Sequence, residues 1–367
     1  MGDRGELGVA AVCCLLHSLV PGGSTWQWIR LLELHVARGG RATIFAADGP
    51  LAAPARAAGI GVIPTSWEEP FQRDFWPAVA EHDVAVVQWE QGVMDVFAPA
   101  LKACGRAALA VHGTPQAVTR WFAPPTPMKA RRTLERAMAE PHAVVLVRGE
   151  PHLRKVATAY AVPAAALRIL PASVPLASLP FHPAKGEPVE ILAMTRLAPD
   201  KTAIPRVAVE LARERLAIGR TCRLTIAGDG GWRSEAVALC ERRLPRGSWR
   251  IEPAPEDPLA RLAEAHVAVA QGTTTLEAAA LGRRVVVARS LGARGASATV
   301  LTPDRYDEAA RDPFGDPPVA EDPVLMWEEL AALVESDLSA LRHLVESHNS
   351  IEVASRALRE ALAATGA

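Results

Sequence analysis

The chain has 367 residues, 49% of them hydrophobic, which is enough for about two or three domains with packed cores. Its 40 Lys and Arg residues nearly balance its 41 Asp and Glu residues, and the two signs are well mixed along the sequence. A net charge of -1 argues against a nucleic-acid partner or docking on an anionic membrane, so we expect any functional cations to act locally.

The first predicted element is an apolar run at residues 9–20, interrupted by His17. At about 12 residues it is too short to span a bilayer, and it lacks signal-peptide cleavage chemistry, so it predicts a buried strand. We therefore expect no transmembrane segment and a cytoplasmic location. Five scattered cysteines without a C-x-x-C pair favour reduced thiols over disulfides or a metal site.

Apolar runs alternate with helical patterns through the first half of the chain. The runs are apolar at successive positions rather than at every second one, which predicts a parallel sheet covered by helices on both faces. In chain order, strands are predicted at residues 9–19, 42–46, 61–64, 84–88, 107–111 and 143–147, with helices at 28–36 and 51–58.

A second α/β unit follows a proline-rich segment. Residues 171–188 contain five prolines and little periodicity, which is typical of an interdomain linker. Beyond it, strands are predicted at 190–194, 222–227, 249–252, 267–270 and 284–288, with helices at 203–217, 234–243, 259–265, 274–281, 324–335 and 338–364. The sequence thus predicts two tandem Rossmann-like, doubly wound domains, at 1–175 and 186–344, with ligands in a cleft between the carboxyl ends of their sheets.

Two cations follow the first strand of the second unit. Arg196 and Lys201 lie five positions apart across a proline-containing turn, so both can converge on one anion, the arginine as a planar fork and the lysine as a point charge. A diphosphate fits this pair. Taken by itself, the spacing is more often that of ordinary solvated loop cations.

Glycines and hydroxyls follow two other strands. Gly22 and Gly23 precede the first helix and would let an anion or substrate approach its amino end, although a plain turn capped by Ser24 explains them equally well. Their spacing does not support a dinucleotide site. Gly272, Thr273, Thr274 and Thr275 can hold phosphate oxygens at a helix start, with Glu277 accepting hydrogen bonds from ribose hydroxyls; the alternative is helix capping with Glu277 compensating the dipole.

Further candidates follow strands of the first unit. His112 comes directly after residues 107–111 and can bond a sugar hydroxyl or a phosphate, whereas a half-buried structural histidine is the alternative. His17, Trp26 and Glu90 are the candidate acceptor-binding residues. Glu90 is placed like His112, directly after a predicted strand, and the aromatic face of Trp26 suits a sugar ring. A single tryptophan is nonetheless more often a core residue.

Together these residues resemble the retaining GT-B glycosyltransferases of glycosyltransferase family 4. The resemblance covers about residues 9–303, loosely in the first half and well in the second. The matching segments are Pro-Gly-Gly at 21–23, Ala-Arg-Gly-Gly at 37–40, Val-His-Gly at 111–113, Thr-Arg-Leu-Ala-Pro-Asp-Lys at 195–201, Ala-Gly-Asp-Gly-Gly-Trp-Arg at 227–233 and Leu-Glu-Ala-Ala-Ala-Leu-Gly at 276–282.

This resemblance implies transfer of a sugar from a nucleoside-diphosphate sugar to the hydroxyl of a small-molecule or glycan acceptor, without a metal or other cofactor. It implies that Arg196 and Lys201 hold the donor's diphosphate and Glu277 its ribose, with His112 near the transferred sugar. The loop with Gly22 and Gly23 is implied to contact the donor or the acceptor near the leaving phosphate, and Gly228 and Asp229 are expected to bind the donor. A helix at about 345–367 is implied to cross back to the first domain. Separately, we expect the backbone near residues 251–255 to recognise the base.

The chain also departs from the family pattern. A glutamate usually lies eight positions before the residue matching Glu277, whereas this chain has Val269 there and a shortened loop. Arg148 stands where a serine is usual. These departures indicate a specialised subfamily that acts on an unusual sugar or a secondary metabolite. The expected pathway is the biosynthesis of a secondary metabolite or of a polysaccharide.

Two other functions fit parts of the pattern. A sugar-nucleotide 2-epimerase of GT-B shape has a similar Thr-rich helix start, but the first half of the chain offers no support for it. The missing glutamate also fits a non-catalytic subunit that binds a nucleotide sugar.

Overall fold

The computed structural model describes residues 9–67, 75–89, 93–111, 127–186, 188–290, 296–310 and 322–365. The chain divides into two compact units, one formed by Met1–Ser173 with Ile351–Ala367 and the other by Val174–Ser350. The predicted linker at 171–188 therefore belongs mostly to the second unit. Within the described ranges, no helix is both long and apolar enough to cross a membrane.

The first unit is built on a parallel sheet of seven strands in the order β3-β2-β1-β4-β5-β6-β7. The strands are β1 Ala11–Ser18, β2 Arg41–Ala47, β3 Gly61–Pro64, β4 Val84–Gln88, β5 Ala107–Ala110, β6 Ala143–Val147 and β7 Leu167–Ile169. The described helices are α1 Gly23–Ala37, α2 Ala52–Ala57, α3 Phe75–Ala80, α4 Phe97–Cys104, α5 Pro127–Ala139, α6 Glu150–Tyr160 and α14 Ile351–Ala363.

Both faces of the sheet are buried along the central strands β1, β4, β5 and β6, which explains why these strands are largely apolar. Along β1, Cys14 and Leu16 belong to a cluster with Trp28 of α1 and Leu358 of α14. The alternate residues of the same strand belong to a second cluster, which includes residues of α4, α5 and α6. Because successive side chains of a strand point to opposite faces, a strand covered on both sides must be apolar at every position.

The second unit has a six-stranded sheet in the order β10-β9-β8-β11-β12-β13. The strands are β8 Val189–Met194, β9 Cys222–Ala227, β10 Trp249–Glu252, β11 Val267–Ala270, β12 Arg284–Ser290 and β13 Ala296–Val300. The described helices are α7 Ala203–Ala217, α8 Arg233–Arg243, α9 Pro258–Ala263, α10 Thr273–Ala280, α11 Tyr306–Ala309, α12 Pro323–Ala332 and α13 Glu335–Asn349. The core beside α7 is closed by α12, where Trp327 donates a 2.8 Å hydrogen bond to the Leu211 carbonyl.

The structure corrects the predicted elements at two places. Strand β13 pairs antiparallel with β12, so the second sheet is not parallel throughout. The single helix predicted at 338–364 is two helices, because Ser350 is extended with φ -69° and ψ 156°. After this break α14 packs in the first unit, where His142 Nδ1 lies 2.9 Å from the Thr365 carbonyl oxygen and Arg106 donates to the Leu362 carbonyl.

Candidate functional site at the carboxyl edge of the second sheet

The two predicted cations lie on the short connection between β8 and α7. Arg196 comes two residues after the end of β8, and Lys201 closes a single 3-10 turn over Pro199–Lys201. The turn is held by a 2.9 Å hydrogen bond from the Lys201 amide to the Ala198 carbonyl. Pro199, the first residue of this turn, fixes the backbone φ angle there, so the Lys201 side chain extends from a defined position near Arg196.

A carboxylate that we did not predict as a site residue joins the two cations. Arg196 Nη2 lies 3.4 Å from Asp200 Oδ1 and 3.3 Å from Oδ2, and Lys201 Nζ lies 3.8 Å from Oδ2. Asp200 lies between the two cations in the sequence, within the same turn, so its proximity to them could have been predicted. The three charges therefore form one cluster after the end of β8.

Lys201 also reaches the next strand of the sheet. Its Nζ lies 3.4 Å from Oε1 of Gln271, the residue that directly follows β11. Strand β11 pairs parallel with β8, with Val269 opposite Ala193, so the carboxyl ends of these strands are neighbours. Gln271 was not predicted, because the contact depends on strand pairing across 70 residues.

The surroundings of Lys201 shift the pKa of its ammonium group. Burial lowers the pKa of the ammonium group below its ordinary value of 10.5, the negative charge of Asp200 opposes this, and the positive charge of Arg196 lowers the pKa further. An anion bound beside Lys201 would act in the same direction as Asp200 and favour the charged form.

Helix α10 begins next to this cluster. Gly272 precedes it with φ 72°, a conformation that side chains rarely adopt, and the Thr275 amide donates to the Gly272 carbonyl at 3.2 Å. Thr273 and Thr274 are half-buried in the first turn, whereas Thr275 is 1% and Glu277 7% exposed. The Thr275 hydroxyl is buried without a hydrogen-bond partner among the described residues. The helix start thus adds amides and hydroxyls to the cations.

The glycine loop after β9 packs against the turn that carries Arg196. A Cβ at Gly228, where φ is 151°, would overlap the Thr195 carbonyl oxygen, and one at Gly230, where φ is 143°, would overlap that of Leu197. The Leu197 amide donates to the Asp229 carbonyl at 2.9 Å. Gly228 and Gly230 therefore let the two loops touch, and they position the cation turn through the backbone.

Asp229 in the glycine loop and Arg233 at the start of α8 bond to β10 and to the segment that follows it. Asp229 Oδ2 accepts a 2.8 Å hydrogen bond from the Ala254 amide. Arg233 Nη2 donates to the Ile251 carbonyl at 3.1 Å, and its Nη1 donates to the Gly228 carbonyl at 3.3 Å. The backbone expected to recognise the base is thus fixed to the loop beside the cations. Arg233 was missed, since its partners are carbonyls with no signature in the sequence.

The predicted residues of the first unit are more scattered. Gly22 precedes α1 in an extended conformation with φ -170°, and a Cβ there would meet nothing within 4 Å. Gly23 is the first residue of α1. The Trp26 ring is half-buried with the Arg30 guanidinium 5.4 Å from its centroid, and half-buried His17 accepts at its carbonyl from Trp67 Nε1 at 3.0 Å. These contacts do not bring the predicted residues together.

His112 and Glu90 lie outside the described residues. Arg148, the departure after β6, is 4% exposed, and its amide donates to His152 Nδ1 at 3.1 Å. The structure therefore buries this arginine at the carboxyl end of a strand. Within the described part of the chain, no group of three or more His, Cys, Asp or Glu side chains is placed to hold a metal ion.

Solved glycosyltransferases share this fold over nearly the whole chain. HepE of Anabaena in complex with UDP-glucose is 14% identical, with a TM-score of 0.70 over 96% of this chain and 99% of that one. A glycosyltransferase from Rickettsia africae is 13% identical, with a TM-score of 0.64 over 94% and 96% of the two chains. AviGT4, a glycosyltransferase involved in avilamycin A biosynthesis, is 18% identical, with a TM-score of 0.60 over 96% and 98%.

No family model and no curated protein matches the sequence. At these low identities the structural likeness establishes the fold alone. It confirms the predicted α/β fold of two Rossmann-like units with the GT-B type of architecture.

Proposed function

We propose that this protein is a retaining, metal-independent glycosyltransferase that moves a sugar from a nucleoside-diphosphate sugar to an acceptor hydroxyl. One observation carries the proposal. Lys201 lies 3.4 Å from Gln271, so the cation turn and the start of α10 lie at one edge of the sheet. The cluster of Arg196, Lys201 and a helix amino end suits a diphosphate, which carries its negative charges over two adjacent phosphates.

The cations explain how the reaction would be driven. When the bond between the sugar and the diphosphate breaks, negative charge grows on the β-phosphate, and fixed cations stabilise that charge more than the charge of the intact donor. Arg196 and Lys201 would then perform the neutralisation that a divalent metal provides in other transferases. For a retaining reaction on one face of the sugar, the leaving phosphate would accept the proton of the acceptor hydroxyl.

The donor is proposed from the same edge of the sheet. Glu277, buried one turn into α10, would accept hydrogen bonds from the ribose, and the backbone after β10 would contact the base. Uracil is our first choice of base, because HepE structures contain UDP-glucose and UDP. A secondary metabolite is our first choice of acceptor, because AviGT4 takes part in avilamycin A biosynthesis.

The first experiment is binding. A thermal-shift screen against UDP, GDP, ADP and dTDP should give a rise in melting temperature with one of them, and a ligand present at about 100 times its Kd stabilises by about 2.7 kcal/mol. UDP should give the largest rise. No response to any of the four would contradict the proposal.

The second experiment is turnover. The corresponding nucleotide sugar should release nucleoside diphosphate only with an acceptor, equally with and without EDTA, and the product should keep the anomeric configuration of the donor. Formation of an epimer without release of nucleoside diphosphate would identify a 2-epimerase instead. Binding without turnover across an acceptor panel would identify a non-catalytic subunit.

A further inference from the structure

The cation cluster contains its own counter-ion. Asp200 is bound through both carboxylate oxygens by Arg196 Nη2, at 3.4 and 3.3 Å, and one of these oxygens lies 3.8 Å from Lys201 Nζ. Its side chain is 27% exposed, and that of Arg196 is 62% exposed. The carboxylate thus lies within ion-pair distance of both cations that we propose for the diphosphate.

An internal carboxylate and a bound diphosphate compete for the same charges. Arg196 and Lys201 repel each other, which is one cause of the lowered pKa of Lys201, and Asp200 relieves that repulsion in the free protein. Nη2 of Arg196 and one side of the Lys201 ammonium face Asp200, so these donors can bind a phosphate oxygen only when they turn away from the carboxylate. Because the pairs are partly exposed, the exchange costs little and can occur readily.

We propose that Asp200 is a competing counter-ion that the diphosphate displaces, and that it limits the affinity of the site for the nucleoside diphosphate released by the reaction. This inference rests on the proposed function. In this role Asp200 positions the two cations. Its ion pairs hold Arg196 and Lys201 close together before the donor binds, and they form again when the product leaves. A site with the cations alone would hold its product more tightly and release it more slowly.

The experiment is isothermal titration of UDP into Asp200→Asn, Asp200→Glu and the unchanged protein. Asparagine keeps the shape of the side chain and removes its charge. We expect the Kd of UDP to fall about fivefold, which is the size of effect expected from losing one partly exposed ion pair. Asp200→Glu retains the charge and should bind UDP with the affinity of the unchanged protein. In turnover, inhibition by UDP should strengthen in Asp200→Asn.

The second sheet offers a matched control. Glu190 at the start of β8 pairs with Arg223 at 3.3 Å, with side chains 26% and 59% exposed, against 27% and 62% for Asp200 and Arg196. Glu190→Gln makes the same change of charge at the opposite end of the strand. It should leave the Kd of UDP unchanged, and a fall equal to that of Asp200→Asn would show a general charge effect and overturn the inference.

The outcomes separate the two proposals. If UDP binds the unchanged protein but Asp200→Asn binds it equally or more weakly, Asp200 does not compete and the inference is overturned while the proposed function stands. If the unchanged protein binds none of UDP, GDP, ADP and dTDP, both are overturned.

Discussion

The carboxyl edges of the two sheets differ in how their predicted residues are arranged. At the second edge, direct contacts join the cation turn to β11 and to the glycine loop after β9, through Lys201 with Gln271 and Leu197 with Asp229. At the first edge, Trp26 stacks with Arg30 of its own helix, and His17 is held through its carbonyl. Described contacts therefore join the loops of the second edge to one another, whereas those of the first edge do not join its predicted residues.

The largest effect is expected at the contact between the two loops of the second edge. Gly228→Ala places a methyl group against the Thr195 carbonyl at a positive φ, and it should lower the free energy of unfolding by about 3 kcal/mol. Chemical denaturation measures the change. Gly231→Ala in the same loop, where a Cβ meets nothing within 4 Å, should change it by less than about 0.5 kcal/mol. Equal losses in both variants would mean that the loops are not in close contact.

The next effect is a loss of transfer activity without a loss of stability, expected when either cation is removed. Arg196→Ala and Lys201→Ala should each lower kcat/KM for transfer about tenfold or more, the loss of about 1.4 kcal/mol of transition-state stabilisation. Melting temperatures should change little, because partly exposed ion pairs contribute little to stability. Arg223→Ala is the control, since Arg223 pairs with Glu190 at the same 3.3 Å at the other end of the sheet. Full turnover in both site variants would remove the role of these cations.

A smaller effect on stability should distinguish the Thr275 hydroxyl, proposed to bind the ligand, from the structural hydroxyl of Thr225. Thr275→Val removes a buried hydroxyl without a described partner, and it should raise the free energy of unfolding by about 1 kcal/mol while weakening UDP binding. Thr225, equally buried at 1% exposure, accepts a 3.1 Å hydrogen bond from Arg250 Nε. Thr225→Val should therefore lower stability. Denaturation and titration of both variants check this, and a loss of stability in Thr275→Val would contradict it.

The smallest effect on stability is expected at the first edge. Gly22 is extended and faces open space, so Gly22→Ala should change the free energy of unfolding by less than about 0.5 kcal/mol. If the backbone of this loop approaches the donor, transfer should nevertheless fall, by less than about tenfold. Unchanged transfer, with Gly231→Ala as the reference, would leave the loop with a structural role only.

Much of the fold could be predicted from local patterns. Several elements were predicted with the bounds that the structure has, among them β4, β9, β11 and α7. The break at Ser350 was missed because the apolar periodicity continues through it, and only the return of α14 to the first unit requires it. Strand β13 was missed because its residues do not form a purely apolar run.

The candidate site was predicted in part. Arg196 and Lys201 share one turn, so their proximity followed from the spacing. Gln271 and Arg233 could not be predicted, because the first meets Lys201 across paired strands and the second binds backbone carbonyls. His112 and Glu90 remain predictions.

The sequence by itself determined the alternation of buried strands and helices, the two-unit organisation and the cation turn, since each depends on local periodicity or on residues close together in the chain. Only the tertiary structure decided which residues meet at the second edge. Parallel strands bring together residues far apart in sequence, and the order of strands in a sheet is set by packing rather than by any local pattern. For this reason Asp200, between its two cations, was visible in the sequence, and Gln271 was not.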